Sequence, residues 1–199
     1  MRSEDKQKRH KRLLHLIDAD PLLSDSDLAR ELGVSVGTIR LDRAFLNVPE
    51  LRERTRQMAE KASQRLTSMK QEEVFGELID LEPNRLALSV LSTTREYAFR
   101  HTDLIADHYI YAQAATLAIA VIQENMVLMS SARVQFKRYA HVGDRLIARA
   151  KVGTRKENKY VVSVHTRIGN TEVFVARFVV EAIDDSGAAA RDIDLTDTR

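Results

Sequence analysis

Apolar residues in the first quarter of the chain recur every three or four positions, the period of helices that bury one face. This pattern predicts three short helices over residues 6–46, with the inward positions Leu13, Leu16, Ile17, Leu28, Leu32 and Ile39. The first helix should end at Asp20-Pro21, because the residue before a proline avoids helical geometry. Ser24 and Ser35 are the expected N-caps of the next two helices, and Gly33 separates them.

A helix, a tight turn with glycine and a second short helix rich in Thr and Arg form the pattern of a helix-turn-helix. We expect Val34 and Ile39 to hold the second of these helices on the first. Thr38, Arg40 and Arg43 would then project outward, where Thr and Arg can bond base edges and phosphates. A plain three-helix bundle is the alternative interpretation.

A longer amphipathic helix is predicted over residues 49–70, with Pro49 in its first turn. Its narrow apolar seam consists of Leu51, Thr55, Met58, Ala62, Leu66 and Met69. At 1.5 Å per residue such a helix spans about 30 Å, enough to separate two domains. We interpret it as a connector that also makes a dimer contact.

The pattern changes to alternating strands over residues 72–182. Runs at 77–81 and 86–91 and four later runs, 126–136, 145–152, 160–168 and 171–183, predict an antiparallel sheet. Gly169-Asn170 is a two-residue hairpin turn between the last two. One helix, predicted over 102–123, is apolar almost all round and must be wrapped on most sides. A buried helix embraced by five or six strands is the hot-dog arrangement.

The expected fold class is therefore α+β: a winged-type helix-turn-helix domain, a connector helix and a hot-dog domain. The expected boundaries are 1–47, 48–71 and 72–183. Residues 184–199 hold five Asp and no periodicity, which predicts a disordered tail.

Composition narrows the chemistry. The 199 residues are 44% hydrophobic and include no Cys, which excludes zinc fingers, CxxC redox sites and cysteine nucleophiles. No apolar run reaches the length of a membrane-spanning helix, and the start lacks the apolar core of a signal peptide, so we expect a cytoplasmic protein without a membrane partner. The sequence contains no phosphate-binding glycine loop and no HExxH motif, so we expect neither a cofactor nor a metal.

Charge is unevenly distributed. The formal net charge is +2, but residues 1–70 carry 15 Lys and Arg against 11 Asp and Glu, whereas residues 71–199 carry 16 against 18. A basic end on a nearly neutral body favours a polyanion-binding module joined to a second domain. A solubilising tail is the alternative.

The segments 34–43, 46–54, 112–114 and 136–144 resemble the FapR family of bacterial repressors of fatty-acid and phospholipid synthesis genes, whose reader is a DeoR-type helix-turn-helix. The likeness runs over about residues 6–182. It implies a homodimer that binds an inverted repeat of double-stranded DNA and is released when malonyl-CoA binds the hot-dog domain. The implied effector site includes Phe99, His108 and Gln113, which match the family.

Three positions of the implied effector site depart from the family. The family arginine that pairs with the malonyl carboxylate falls at Ala106, its neighbouring glycine at Asp107, and the asparagine facing the ligand at Ala115. Loss of one partner of a buried charge pair costs about 2–5 kcal/mol. We therefore predict that malonyl-CoA binds poorly and that a neutral acyl-CoA, or no ligand, fits better.

The DNA-binding residues expected from the motif and the resemblance lie on two helices: Ser35, Gly37, Thr38, Arg40, Arg43, Arg52, Arg54 and Arg56. The family commonly has Gln at the position of Gly37, so we expect an altered operator. The three connector arginines are expected at phosphates, although a solvated helix face is the competing interpretation.

Two alternatives remain for the second domain. Hot-dog folds also host acyl-CoA thioesterases, for which Asp103, Asp107 and His108 are the candidate residues, but Ala115 stands where one common subgroup has its acid. We expect no enzymatic activity and no catalytic residue. The other alternative is a repressor whose hot-dog domain only dimerises.

Overall fold

The computed structural model describes residues 2–183, with side chains from residue 6 onward. The predicted disordered tail lies outside the described residues. The chain divides between Glu60 and Lys61 into two compact units. Each unit has its own hydrophobic core.

The first unit is helical. Its elements are α1 (Arg2–Ala19), α2 (Asp25–Leu32), α3 (Val36–Phe45) and the greater part of α4 (Leu51–Ser63). The predicted inward residues of the first three helices form one core around Leu13, Leu28 and Ile39, each fully buried. The apolar period therefore placed these helices correctly.

The ends of α2 and α3 are capped as the sequence predicts. Ser24 and Asp27 form a capping box, in which the Ser24 hydroxyl accepts from the Asp27 N–H and the Asp27 carboxylate accepts from the Ser24 N–H. Gly33 closes α2 at a φ of 66°, a left-handed conformation that favours glycine. Ser35 caps α3 by accepting from the Thr38 N–H at 3.1 Å.

The winged-type prediction is wrong for the part of the chain that the structure describes. Residues 2–60 contain helices and turns and no strand that could form a wing. After α3 the chain passes through Asn47, at a positive φ of 53°, and enters α4 at Leu51. No segment is left over between the two helices for a β-hairpin.

The connector helix is shorter than the predicted 49–70, because α4 ends at Ser63. Tertiary contacts of the next residues with the second unit's own core stop it. Arg65 donates to the Leu81 carbonyl at 3.1 Å, Ser68 donates to the Ile119 carbonyl at 2.9 Å, and the side chains of Leu66 and Met69 pack on that core. The 13 helical residues span about 20 Å rather than 30 Å.

The second unit is a six-stranded antiparallel sheet around one helix. The strands are β1 (Glu77–Glu82), β2 (Leu86–Ser92), β3 (Val127–Phe136), β4 (Arg145–Lys156), β5 (Lys159–Ile168) and β6 (Thr171–Ala182), in the order β1-β2-β4-β5-β6-β3. The helix α5 (Asp107–Ala120) packs against β2 through β6. Gly169-Asn170 makes the predicted hairpin, with Ile168 paired to Thr171. The hot-dog prediction is confirmed.

Helix α5 begins at Asp107 rather than at the predicted Thr102. The preceding residues are held in extended geometry: Ile105 donates to the Ala140 carbonyl and Ala106 to the Tyr97 carbonyl, each at 2.8 Å. These bonds occupy the backbone that a longer helix would use. Among residues 2–183, no helix is long and apolar enough to cross a membrane.

Candidate functional site

The start of α3 presents a polar edge to solvent. The hydroxyls of Ser35 and Thr38 lie 2.9 Å apart, and Gly37 and Arg40 are exposed. Arg40 extends into solvent with 71% of its side chain accessible, although its Nε lies 3.7 Å from an Asp25 carboxylate oxygen. A hydroxyl pair, a glycine and an extended guanidinium at one helix end can approach the edges and phosphates of a duplex.

The buried side of α3 is tied to α1 through the Asp42 carboxylate. Asp42 accepts from Arg9 Nε at 2.6 Å, and the Nε2 of buried His10 lies 2.9 Å from its other oxygen. The Arg9 hydrogen bond is the main cause that holds the pKa of Asp42 below its usual range, and His10 adds to it. Both partners come from a helix more than 30 residues earlier, so sequence reading missed this link.

Arg43 does not project outward, and the prediction that it does is wrong. Only 8% of it is exposed, and it donates to Asp25 from Nε at 2.7 Å and from Nη2 at 2.8 Å. It also donates to the Val48 carbonyl at 3.2 Å. The Arg43 pair is the main cause of a lowered pKa of Asp25. The helical period places residue 43 on the side of α3 that faces α2, where the charge of Arg43 is neutralised by Asp25.

Arg54 is likewise internal rather than on a phosphate-facing surface. It is 7% exposed and donates to the carbonyls of Pro21, Leu23 and Pro49, at 3.1, 2.7 and 2.7 Å. One guanidinium thus satisfies three loop carbonyls and joins the start of α4 to the α1–α2 loop. We assign Arg54 a structural role in place of the predicted phosphate contact.

The other two connector arginines are exposed. Arg56 donates to Glu53 and Glu60 on its own helix, which partly neutralises it. Arg52 lies on the exposed side of α4. Of the three predicted phosphate contacts on α4, Arg52 is the one that the geometry leaves best placed.

A basic depression lies beside the turn between α2 and α3. It is lined by Lys8, Arg9 and Arg12 from α1 and by Leu32 and Val34. The charge of the first twelve residues was evident in the sequence. Its convergence on this turn was not, because it depends on how α1 crosses the other helices.

The predicted effector residues lie around the N-terminal half of α5. Ala106 is its N-cap residue, 4% exposed and without a side-chain bond to the helix end. Asp107 is exposed in the first turn, where a negative charge favours the helix. His108 is exposed with its ring 4.1 Å from that of Tyr109, and Phe99 is half exposed.

Gln113 and Ala115 face different surroundings. Gln113 is fully buried against the sheet, where its amide nitrogen donates to the carbonyls of Ser89 and Leu146 at 3.3 and 3.4 Å. Those carbonyls are acceptors only, which fixes the amide nitrogen on their side. The amide oxygen Oε1 is buried without a hydrogen-bond partner. Ala115 is only half buried, two positions further along the helix.

The candidate catalytic set does not assemble. The side chains of Asp103, Asp107 and His108 are all exposed, and among the described residues they form no hydrogen bond with one another. Among the side chains that the structure describes, residues 6–183, no group of three or more His, Asp or Glu could hold a metal ion.

Comparison with known proteins gives a consistent set of relatives. The transcription factor FapR of Bacillus subtilis is 40% identical over 177 residues, 87% of this chain and 94% of that protein. Those of a Thermoanaerobacter species and of Halalkalibacterium halodurans are 40% and 38% identical, over 90% and 88% of this chain and 90% and 94% of their own lengths. No protein-family model matches the chain.

Solved structures support the fold of the second unit. A sigma28-regulated virulence protein of Campylobacter jejuni matches with a TM-score of 0.60 at 22% identity, over 65% of this chain and 92% of that one. The PaaI protein of the E. coli phenylacetic acid degradation operon matches with a TM-score of 0.53 at 18% identity, over 66% and 95%. At such low identity these matches establish the fold alone.

Proposed function

Because this chain belongs to the FapR family of transcription factors, we propose that it represses fatty-acid and phospholipid synthesis genes by binding an inverted-repeat operator as a homodimer. It is a transcription factor and not an enzyme. We assign DNA reading to residues 1–47, connection to 48–71 and effector binding to 72–183. We place its activity in the cytoplasm.

The observation that carries the proposal is the division of α3 into an anchored side and a free side. Asp42 and Arg43 anchor α3 to α1 and α2, whereas Gly37 and Arg40 reach solvent. A helix held on one side is preorganised, so that little conformational entropy is lost when its free side binds. Ser35, Gly37, Thr38 and Arg40 are therefore the proposed reading residues.

Phosphate contacts are proposed for the basic depression and for α4. Lys8 and Arg12 border the turn that leads into α3, and Arg52 is exposed on α4. Contacts of this type position a reader on the duplex without selecting a sequence. Arg43 and Arg54 are not among them, because their guanidinium groups are bound inside the unit.

Homodimer formation is proposed at β3. This strand lies at one edge of the sheet, so one side of its backbone is free to pair. Val134 and Phe136 are opposite the buried Ala176 and Phe174, yet they are 38% and 42% exposed. An apolar row on the core side of an edge strand is the surface that a second copy would cover.

The proposed effector is a neutral acyl-CoA. Ala106 supplies no positive charge for a malonyl carboxylate, and exposed Asp107 adds a negative one. The unpartnered Gln113 Oε1 is an acceptor that an amide N–H of the CoA arm would satisfy, whichever acyl group the ligand carries. Removal of one charge-pair partner corresponds to roughly 30- to 4,000-fold weaker binding.

The proposed switch is a shift between two arrangements of the connector. Leu66 and Met69 pack on the hot-dog core in the structure. A ligand that prefers one arrangement lowers DNA affinity by its differential affinity for the two, and by no more. Substitution of both residues by Ser should leave DNA affinity insensitive to the effector.

Two experiments test the proposal. Selection of bound fragments from random-sequence duplexes should yield an inverted repeat; recovery of no common sequence would contradict operator reading. Calorimetric titration with malonyl-CoA and with neutral acyl-CoAs tests the effector, and micromolar binding of malonyl-CoA would overturn the assignment. If no acyl-CoA binds, the hot-dog domain serves dimerisation only, the second candidate, which the buried Ala106 favours.

A further inference from the structure

The part of the outer sheet face formed by β3 to β6, opposite the side that holds α5, is basic. Strands β3 to β6 together carry nine Lys and Arg against two Glu. In β4 to β6 the inner positions are almost all apolar and buried, so the charged residues lie on the outer side. We call the outward set of exposed side chains the basic face: Arg133, Arg149, Lys151, Arg167 and Arg177.

Strand register brings these residues together from four strands. Arg133 of β3 is opposite Arg177 of β6, Arg177 is opposite Ser163 of β5, and Ser163 is opposite Lys151 of β4. Arg149 lies two residues before Lys151 on the same face. At about 4.8 Å between strands the row crosses about 14 Å of surface.

The basic face is unfavourable for the isolated chain. Arg133 and Arg177 are directly opposite each other, and like charges at such a pair destabilise a sheet. Of the carboxylates around the face, Glu172 is already held by His165 and Lys137, which lower its pKa to about 2, and Glu181 accepts from Ser130 and Asn158. Asp80 and Glu82 of β1 lie two strands away from Arg149 and Lys151. Among the side chains of residues 6–183, no carboxylate forms an ion pair with Arg133 or Arg177. An external anion would relieve this repulsion.

We propose that the basic face is a second DNA-binding surface, which holds duplex phosphates without reading sequence. This inference rests on the proposed function, because DNA is the polyanion that the first unit would bind. Arginine is suited to the role, since its planar guanidinium bonds phosphate oxygens in pairs. The five side chains of the basic face would release counterions from the duplex and so add affinity that falls steeply with salt.

The segment 184–199 is the competing occupant. It holds five Asp and two Arg and follows β6 directly. Duplex DNA is favoured because it carries one charge per about 1.7 Å of its axis, a far denser row of anions than five Asp in sixteen residues. The two occupants give different outcomes in the experiment below.

The experiment compares two full-length double variants on a random-sequence duplex between 50 and 200 mM salt. Arg149→Glu with Arg177→Glu lowers the charge of the five basic-face residues from +5 to +1, whereas Arg85→Glu with Arg100→Glu makes the same change of net charge elsewhere on the second unit. We expect the first pair to weaken binding at least tenfold and to reduce the slope of log affinity against log salt by about 2 per bound chain. The control pair should change affinity less than threefold. Equal effects of both pairs would overturn the proposal.

Two further measurements separate the alternatives. If the basic-face pair weakens binding only in a chain that ends at Ile183, the acidic segment occupies the face in the full chain and the proposal is wrong. The ratio of affinities for a selected operator and a random duplex should stay unchanged in the basic-face pair and fall in Arg40→Ala. Absence of any selected operator for the wild type would refute the proposed function while leaving the salt slopes interpretable.

A stability measurement checks that the basic-face variants are folded. Arg177→Glu places a carboxylate opposite Arg133, so we expect an unchanged or higher midpoint of thermal unfolding. If the midpoint falls instead, the Gln variants of Arg149 and Arg177 replace the Glu variants, with an expected loss of about 2 in the salt slope as before.

Discussion

Arg43 donates two parallel hydrogen bonds of 2.7 and 2.8 Å to the Asp25 carboxylate, and this ion pair fixes α3 on α2. Both side chains are largely withdrawn from solvent, with 10% and 19% accessible. The pair therefore sets the direction in which the free side of α3 points. A residue that resembles a base-reading arginine in the sequence is instead the anchor of the reader.

Replacement of Arg43 should act on stability, and replacement of Arg40 on DNA binding. Arg43→Ala leaves Asp25 without its main partner, and we expect about 2–3 kcal/mol of lost stability in the first unit. Arg40→Ala should leave the unfolding midpoint unchanged and weaken operator binding by about 1–3 kcal/mol. Denaturant unfolding and fluorescence anisotropy distinguish the two. A destabilised Arg40→Ala would contradict the assignment.

Gly37→Gln should stabilise the protein and change its operator. A Cβ at Gly37 meets only the Ser35 hydroxyl, at 3.7 Å, so a side chain fits without strain. Replacement of a glycine in the first turn favours α3 by at most about 1 kcal/mol. The new amide can bond an adenine, so fragments selected by the variant should differ from those of the wild type. Gly37→Ala is the control, which should gain stability and keep the original sequence preference.

The first unit should lose stability in acid. The pKa values of Asp25 and Asp42 are lowered in the folded protein by their arginine partners, from an ordinary value of 3.8. A depressed folded pKa stabilises the protein above the unfolded value and ceases to do so as the pH falls through the folded one. We expect the midpoint temperature of unfolding to decrease once the pH is lower than about 4. In Asp42→Asn this dependence should be shallower, whereas Asp18→Asn, an exposed control on α1, should reproduce the wild-type curve.

Restoration of the missing charge should restore malonyl-CoA binding. Ala106→Arg with Asp107→Gly supplies a cation at the helix start and removes the adjacent carboxylate. We expect calorimetric affinity for malonyl-CoA to rise by roughly 30-fold or more. Asp103→Gly, which removes a neighbouring exposed carboxylate, should have little effect. Equal malonyl-CoA affinity in the wild type and the double variant would show that Ala106 does not mark the carboxylate site.

A charge on the core side of β3 should prevent dimerisation. Val134 lies in the exposed apolar row, whereas Gln135 points to the outer face of the same strand. Val134→Asp should yield monomers in light scattering, and Gln135→Asp should remain dimeric. A dimer that tolerates Val134→Asp would require an interface other than β3.

Local signals in the sequence were reliable where a few neighbouring residues decide the outcome. The caps at Ser24 and Ser35 and the Gly169-Asn170 hairpin are formed as predicted, because each depends on hydrogen bonds and dihedral angles within a few residues. The lengths of α4 and α5 were wrong. Backbone and side-chain bonds to distant residues, such as Ser68 to Ile119, ended or delayed helices that local propensity would have continued.

Arginine roles were the least predictable part of the candidate site. Arg40, Arg43 and Arg54 look alike in a sequence, since each lies on a short amphipathic helix with polar neighbours. Only the structure distinguishes their roles, because Arg43 donates to Asp25 and Arg54 donates to three loop carbonyls. A helical period tells which positions share a face, but not which element that face meets.

The sequence by itself determined the periodic apolar positions, and hence a helical first unit and a hot-dog second unit, because burial of those positions allows few other arrangements. It also determined the absence of a charge at Ala106. Only the tertiary structure decided which arginines remain free to bind DNA and that cations from four strands gather on one face. Such assignments depend on contacts between residues far apart in the chain, and a charge is available for function only where folding leaves it unpaired.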